Sequence, residues 1–353
     1  MKNISATTLT ASLLVTVIGI LLVIPMMLQW ERPPMDSTQL GFRGLGMEQI
    51  TNPRLAEKVK AANPLPTPDD AVPNDGVLVK DDKENYKNVQ VLGDLDTAQF
   101  VRLMNAISTW VAPQEGDNAG CAYCHNLENM ASDELYTKVV ARRMIQMTRA
   151  INTQHKSHVA QTGVTCYTCH RGQPVPANIW ATNPGPKQAG GFAASRDGQN
   201  LAHQSVPAYA SLPYDPFTTL LNTPAESIRV VATTALPGGT GAGVKATEKT
   251  YALMMHMSTG LGVNCTFCHN SRQFANWEQS RPQRVTAWHG IQMVRDVNAT
   301  YIGSLTDVFP ANRKGPEGDV YKANCATCHN GVNKPLYGFS MAKDYPELSV
   351  PNP

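Results

Sequence analysis

Apolar residues follow different rhythms in different parts of this chain. From Leu9 to Leu28 they run almost unbroken, with only Thr10, Ser12 and Thr16 as polar interruptions and no charge. At about 1.5 Å per helical residue, such a run spans the roughly 30 Å of a bilayer's hydrocarbon layer, and it predicts a transmembrane helix over residues 1–30. Lys2 and the α-amino group precede the run, which keeps the amino end on the cytoplasmic side. The competing reading is a cleaved export signal. Its apolar stretch is normally shorter, and no good small-x-small site follows Met27. A lipoprotein signal needs a cysteine just after the run, and the first cysteine is Cys121. On either reading the rest of the chain is exported.

Residues 31–87 are irregular and rich in proline, with Pro33, Pro34, Pro53, Pro64, Pro66, Pro68 and Pro73. They read as an extended arm lying on something else. Helical spacing returns in two regions, 88–183 and 246–336. Val139, Val140, Met144, Met147 and Ile151 fit one helical face, and Trp288, Ile291, Met293, Val294 and Val297 fit another. A Gly/Ala/Pro/Ser-rich connection, 184–245, joins the two and holds at most short strands such as Ser227–Thr233. Residues 337–353 form a tail. The two regions look like copies. Leu103-Met104 with Ser108-Thr109 matches Leu253-Met254 with Ser258-Thr259. Ile145-Gln146-Met147-Thr148-Arg149 matches Ile291-Gln292-Met293-Val294-Arg295, and Asn152 or Asn298 follows three residues after each Arg.

Composition adds a constraint. Of 353 residues, 26 are Gly and 25 Pro, and aromatics are 7%. A core built from so little aromatic material needs another filler. A formal net charge of +2 gives no nucleic-acid footprint. The eight cysteines supply the filler. They fall at Cys121/Cys124, Cys166/Cys169, Cys265/Cys268 and Cys325/Cys328, each pair followed at once by His125, His170, His269 or His329. Every cysteine lies in a C-x-x-C-H motif, the attachment signal for c-type haem. Two thioethers hold the porphyrin and the adjacent imidazole reaches the iron. A zinc knuckle or redox dithiol accounts for one such motif but not for four with His at the same offset. Disulfides are excluded on this reading, since attachment consumes every thiol. The expected cofactors are four covalently bound haems c.

A haem that only carries electrons needs a sixth ligand. Alignment of the copies nominates Met104, opposite His125, and Met254, opposite His269. Met144 precedes the second motif and pairs with His170. The fourth site breaks the pattern, because Gly290 stands where Met144 does. The iron held by His329 must find its ligand among His155, His158, His203, His256, His289 and Met293, and periodicity does not choose between them. His289 adjoins the vacant position. His155 and His158 return near the face of Met144 if its helix continues.

Several segments resemble a known family. Val139-Val140-Ala141-Arg142-Arg143-Met144, the run from His158 through Val159-Ala160-Gln161-Thr162-Gly163-Val164-Thr165 to Cys166, and Asp344-Tyr345-Pro346-Glu347-Leu348 are similar to the tetrahaem cytochrome subunit of purple-bacterial photosynthetic reaction centres. So are Gly41-Phe42-Arg43-Gly44 and Tyr86-Lys87-Asn88-Val89. The resemblance covers nearly everything after Thr38. It implies Met/His ligation of the first three haems and His/His ligation of the fourth, with His158 reaching the fourth iron. The fold class expected from the residues is mainly α: a multihaem cytochrome c with two pseudo-repeated haem-pair regions, irregular connections and an N-terminal membrane helix. The resemblance also implies a seat on the periplasmic face of the reaction-centre L and M subunits, in the photosynthetic membrane, with light-harvesting subunits as admissible neighbours. Electrons would come from a soluble cytochrome c or a high-potential iron–sulfur protein and pass to the photo-oxidised bacteriochlorophyll pair. The implied haem order from that pair outward is Cys265/Cys268, Cys325/Cys328, Cys166/Cys169, Cys121/Cys124. Two features depart from the family: the uncleaved-looking helix, where many members carry a lipoprotein signal, and extra sequence around Asp117–Gly120.

Two rival readings are weaker. A quinol-oxidising membrane anchor should carry a haem close to its helix, whereas about ninety residues separate Leu28 from Cys121. A multihaem reductase needs a five-coordinate iron, and every haem here has a nominated sixth ligand. No nucleophile elbow or separate catalytic spacing is present, so an electron carrier is expected rather than an enzyme. Local charge gives a testable order of potentials. The segment Gln114–Glu134 carries Glu115, Asp117, Glu128, Asp133 and Glu134 as its charged side chains besides His125, while Arg272, Arg281 and Arg284 surround the third motif against Glu278. Cations disfavour ferric haem and anions favour it, by about 1–4 kcal/mol at short range. The haem at Cys265/Cys268 is therefore expected at a higher potential than that at Cys121/Cys124. A redox titration of assigned haems that finds the opposite order refutes this.

Overall fold

The computed structural model describes residues 6–27, 35–41, 46–182, 212–213, 215–231 and 242–352. The fold is mainly helical. Among the described residues the sheet is a single hairpin of β1 (Asp36–Gln39) and β2 (Glu48–Thr51), antiparallel with Asp36 opposite Thr51 and Gln39 opposite Glu48.

Helix α1 (Ala6–Met27) has 22 residues and no charge. Its described side chains from Thr10 to Ile24 are nearly all exposed. That stretch is only about 22 Å of helix, and among the described residues no helix is long and apolar enough to cross a membrane. The helical backbone is longer than this stretch. The single-pass anchor expected over residues 1–30 has no spanning helix among the described residues.

The proline-rich arm is not simply extended, because it holds the hairpin and helix α2 (Pro53–Ala61). Pro53 opens α2, where a missing N–H does no harm, and the Asn52 side chain accepts from the N–H groups of Arg54 and Leu55. The arm then crosses the haem-motif segments in turn. The N–H of Ile50 donates to Asn264 Oδ1 (3.0 Å) and Asn264 Nδ2 to the Glu48 carbonyl (2.7 Å), beside the third motif. Asn63 Nδ2 reaches the Asn330 carbonyl (3.0 Å), beside the fourth. Tyr167, inside the second motif, donates to the Pro64 carbonyl (3.1 Å). Asn88 Nδ2 reaches the Ala131 carbonyl (2.7 Å), just past the first motif.

The first region carries α3 (Thr97–Val111), α4 (Tyr136–Gln154), α5 (Lys156–Val159) and α6 (Cys166–His170). Asp96 caps α3, and Leu103, Ala106, Ile107 and Trp110 form its buried stripe at helical spacing. A short helix α7 (Phe217–Leu220) lies between the regions. The second region carries α8 (Val244–Leu261), α9 (Pro282–Asp296), which runs on as a π turn over Val297–Ile302, and α10 (Cys325–His329). The first and third motifs sit in 3₁₀ turns, Gly120–Tyr123 and Cys265–Phe267, while the second and fourth form α6 and α10.

Helix α3 packs on α6, and α8 packs on α10. A Cβ at Gly260 would lie 3.1 Å from the Ala326 nitrogen, so the bare glycine lets α8 approach the fourth motif closely. One apolar cluster joins α3 to Ile145 and to the tail through Leu336, Met341, Tyr345 and Leu348. The other joins Leu253 of α8 and Ile291, Met293 and Val294 of α9 to Ile151 and Trp180. The tail therefore returns to the first region. Tyr345 stacks edge-on to Trp110 (4.7 Å) beneath the Arg102 guanidinium (4.3 Å).

The strand expected over Ser227–Thr233 does not form across its described part. Ser227 to Val231 is bends and coil. Among the described residues no neighbouring strand takes its hydrogen bonds; the Ile228 carbonyl accepts instead from the Thr250 hydroxyl on α8 (3.1 Å). Ala232 and Thr233 lie outside the described residues, as do Phe42, Arg43, Gly44 and most of the 184–245 connection.

Candidate haem-attachment site

Each of the four motif histidines makes the same kind of bond. Nδ1 of His170 lies 2.9 Å from the Gln173 carbonyl, and Nδ1 of His329 lies 2.9 Å from the Val332 carbonyl. For His125 and His269 the acceptors are the Met130 (3.3 Å) and Phe274 (3.0 Å) carbonyls. A carbonyl can only accept, so Nδ1 carries the hydrogen and Nε2 keeps a lone pair for a metal. Burial also favours the neutral ring. It holds the pKa of His125, His158, His170 and His269 below the usual histidine value, and that of His329 down to about 4.

A cavity of about 870 Å³ reaches all four motifs, with Cys124, Cys166, Cys169, His170, Cys268, Cys325, Cys328 and His329 in its walls. The helical face read from Val140, Met144, Met147 and Ile151 lines this cavity, as does the α9 face of Gly290, Ile291, Met293, Val294 and Val297. These apolar stripes line the cavity and also meet in the apolar cluster shared by α4, α8 and α9.

Met144 and His170 share that cavity. His158 and His329 face each other across it, ring centroids 5.9 Å apart. Two imidazoles on opposite sides of one metal, each nitrogen about 2 Å from it, need a separation of this order. Gly290 explains the missing methionine. A Cβ there would lie 2.6 Å from Cε1 of His158, so the space that a side chain at position 290 would need is taken by His158. His158 Nδ1 is itself tied to the Thr286 carbonyl at 2.9 Å.

The other candidates are engaged elsewhere or lie apart. His155 Nε2 meets Asp296 at 3.0 Å. His256 packs edge-on to Phe217. Met293 lines the cavity and His289 does not. His203 lies outside the described residues. Met104 on α3 and Met254 on α8 pack against the two apolar clusters. Neither they nor His125 and His269 line the shared cavity.

Cys169 and Cys328 are paired as a disulfide in this structure, whereas the haem reading assigns both sulfurs to thioethers. Helices α6 and α10 bring these Cα atoms to 4.4 Å although 159 residues separate them, and nothing in the local motif spacing reveals that approach. A sulfur in a disulfide is not available for a thioether. The remaining six cysteines are free thiols. Burial pushes Cys124, Cys166 and Cys268 up to about 11 and Cys325 up to about 12, so they stay protonated rather than acting as thiolate ligands.

The donor set suits a porphyrin better than a bare ion. Among the described residues no three His, Cys, Asp or Glu side chains converge on a metal position. Histidine with methionine, or histidine with histidine, supplies two axial donors and leaves four to a macrocycle.

Reading the sequence missed the buried polar framework behind these walls. Arg149 is wholly buried, donating to the Val91 and Glu347 carbonyls and to Asp94. Asn152 and Asn298 are also buried. Their common offset from an arginine was the available signal. The charge count beside the first motif also changes in three dimensions. Asp133 is paired with Arg142 (2.8 Å) and Lys138 (3.2 Å) from α4, and the Arg142 contact holds its carboxyl below the usual range.

A family model described as the photosynthetic reaction centre cytochrome C subunit matches residues 31–349. The photosynthetic reaction center cytochrome c subunit of Rubrivivax gelatinosus is 53% identical over 321 residues, covering 90% of this chain and 84% of the relative. That of Thermochromatium tepidum is 51% identical over 327 residues, covering 92% and 77%. That of Roseobacter denitrificans is 43% identical over 281 residues, covering 76% and 73%.

Gly290→Ala is expected to push His158 away from His329 while leaving the other motifs intact. In the haem-loaded protein this should open one iron to carbon monoxide, read as a new carbonyl band in the reduced spectrum. A variant that binds no more carbon monoxide than the parent contradicts the assignment of that space to His158.

Proposed function

This chain belongs to the photosynthetic reaction centre cytochrome c subunit family, and from that premise we propose that four haems c relay its electrons from a soluble periplasmic donor to the photo-oxidised bacteriochlorophyll pair. Membership makes it an electron-transfer subunit of the photosynthetic reaction centre, not an enzyme, and associates it with the photosynthetic membrane.

The observation that carries the proposal is the set of four motif histidines, each with Nδ1 given to a backbone carbonyl. The proposed ligand pairs are Met104/His125, Met144/His170, Met254/His269 and His158/His329. A thioether favours ferrous iron and raises the potential relative to a second imidazole, which sets the fourth haem apart from the rest. When bound, the haems supply the reversible one-electron chemistry. The protein's part is to fix both axial donors, keep the histidines neutral and enclose the porphyrins in apolar walls. Attachment would add each S–H across a vinyl C=C, forming one C–S and one C–H bond. Loading motifs two and four would first take a two-electron thiol reductant that returns the Cys169–Cys328 bond to two S–H groups.

The proposed order of haems, third, fourth, second, first, is supported by the arm. Its residues 50, 63 and 64 bond beside motifs three, four and two in that sequence, and Asn88, which directly follows the arm, bonds beside motif one. The first haem then faces the donor. Glu115, Asp117, Glu128 and Glu134 give that end an acidic character suited to steering a basic cytochrome c, with a high-potential iron–sulfur protein as the other candidate. We place the third haem toward the L and M subunits and assign α1 as a single membrane anchor with its amino end cytoplasmic, because its helix is uncharged from Ala6 to Met27.

Flash excitation of native membranes tests the role. Cytochrome oxidation within microseconds of the flash is expected. Its absence, with four haems present, would return the chain to the rival roles of quinol oxidation or reductase chemistry.

A further inference from the structure

Helix α4 and the π turn that continues α9 each hold a buried asparagine that grips the backbone leading into a haem motif. Asn152 is 4% exposed and Asn298 fully buried. Asn152 Oδ1 accepts from the Val164 N–H (2.7 Å), and its Nδ2 donates to the Val164 carbonyl (2.8 Å) and to the Leu348 carbonyl (2.8 Å). Asn298 Oδ1 accepts from the Ala323 N–H (2.9 Å), and its Nδ2 donates to the Ala323 carbonyl (3.0 Å) and the Leu221 carbonyl (3.0 Å). Val164 stands two residues before Cys166, and Ala323 two residues before Cys325. In both cases a side-chain amide pairs with one backbone residue at two points, as a neighbouring strand would, and both of its donor hydrogens are used.

The motif follows at once from the gripped residue. Thr165 and Thr168 form a capping box at the start of α6, and Asn324 and Thr327 form one at the start of α10. The first cysteine and, four residues on, the histidine are therefore placed relative to the gripping helix. On α4 that helix also carries Met144, eight residues before Asn152. On α9 the corresponding position is Gly290, eight residues before Asn298, against which His158 rests. One rigid element thus fixes the sixth-ligand side and, through its asparagine, the fifth-ligand side.

We propose that Asn152 and Asn298 are positioning residues for haem attachment and axial ligation at the second and fourth motifs, each setting the spacing between its C-x-x-C-H helix and the helix across the porphyrin. The first and third motifs lie in 3₁₀ turns, where no such asparagine grip is found among the described residues, and they are expected to be independent of both residues. The proposal rests on the haem reading above.

The test is a peptide-level map of haem attachment in the purified full chain. Asn298→Leu and Asn152→Leu remove every bond of the grip. Asn298→Asp and Asn152→Asp are nearly isosteric, keep the acceptor and lose the donors, and they remain informative if the Leu variants do not accumulate. In the Asn298 variants, haem on the Cys325/Cys328 peptide is expected to fall at least several-fold, or to persist with altered ligation seen by electron paramagnetic resonance. The Cys121/Cys124 and Cys265/Cys268 peptides should stay fully modified. In the Asn152 variants the loss should fall on Cys166/Cys169. Full modification with parental spectra in all four variants overturns the proposal, as does an equal loss at all four motifs, which marks a merely structural role. A parent chain without four haems would instead sink the underlying haem reading, so the two failures are distinguishable.

Discussion

An imidazole offers a metal one nitrogen dependably only when the other is committed elsewhere. In this chain that commitment is built into the backbone. At all four motifs the Nδ1 hydrogen goes to a carbonyl a few residues further along: Gln173 and Val332 in one pair, Met130 and Phe274 in the other. The tautomer, the ring orientation and the neutrality of the ring follow from that bond and from burial. Without it, neither His329, which faces His158, nor His170, which lines the same cavity as Met144, would keep a free ring nitrogen for a metal.

The same economy governs the walls. The chain has few aromatics, and the apolar stripes of α4 and α9 meet in one cluster while also lining a cavity. The pins that tie those helices to the rest of the chain are polar. Arg149 and Asn152 on α4, and Arg295 and Asn298 on α9 and its π turn, direct their hydrogen bonds to backbone carbonyls of distant segments: Glu347 and Leu348 of the tail in one case, Leu220 and Leu221 in the other. Each such bond is worth about 1 kcal/mol net, but leaving its buried partner unpaired is more damaging than that figure implies. Buried polar pins define a spacing that greasy contacts alone leave adjustable.

Much of this was legible in the sequence, though unevenly. The four motifs, the helical stripes of α4 and α9 and the vacancy at Gly290 could be read because each is a local pattern. The occupant of that vacancy could not, because His158 and Gly290 meet only through the packing of α5 on α9. The meeting of Cys169 with Cys328 was hidden for the same reason, as was the pairing of Asp133 with Arg142 and Lys138. A charge count along the chain assigned Asp133 to an acidic patch, whereas folding neutralises it. The arm was read as extended from its prolines, yet Asn52-Pro53 starts a helix, a cap-and-N1 signal that was present and overlooked. Arg149 and Asn152 were noticed as marks of the repeat, but their burial was not foreseen, since an arginine on a helix is ordinarily taken as exposed.

Intact mass of the mature chain, with thiol alkylation and a disulfide map, tests the central claim most directly. The account predicts four covalently added porphyrins, no alkylated cysteine and no bond between Cys169 and Cys328. Fewer than four additions, or recovery of that disulfide from the functional protein, would contradict it.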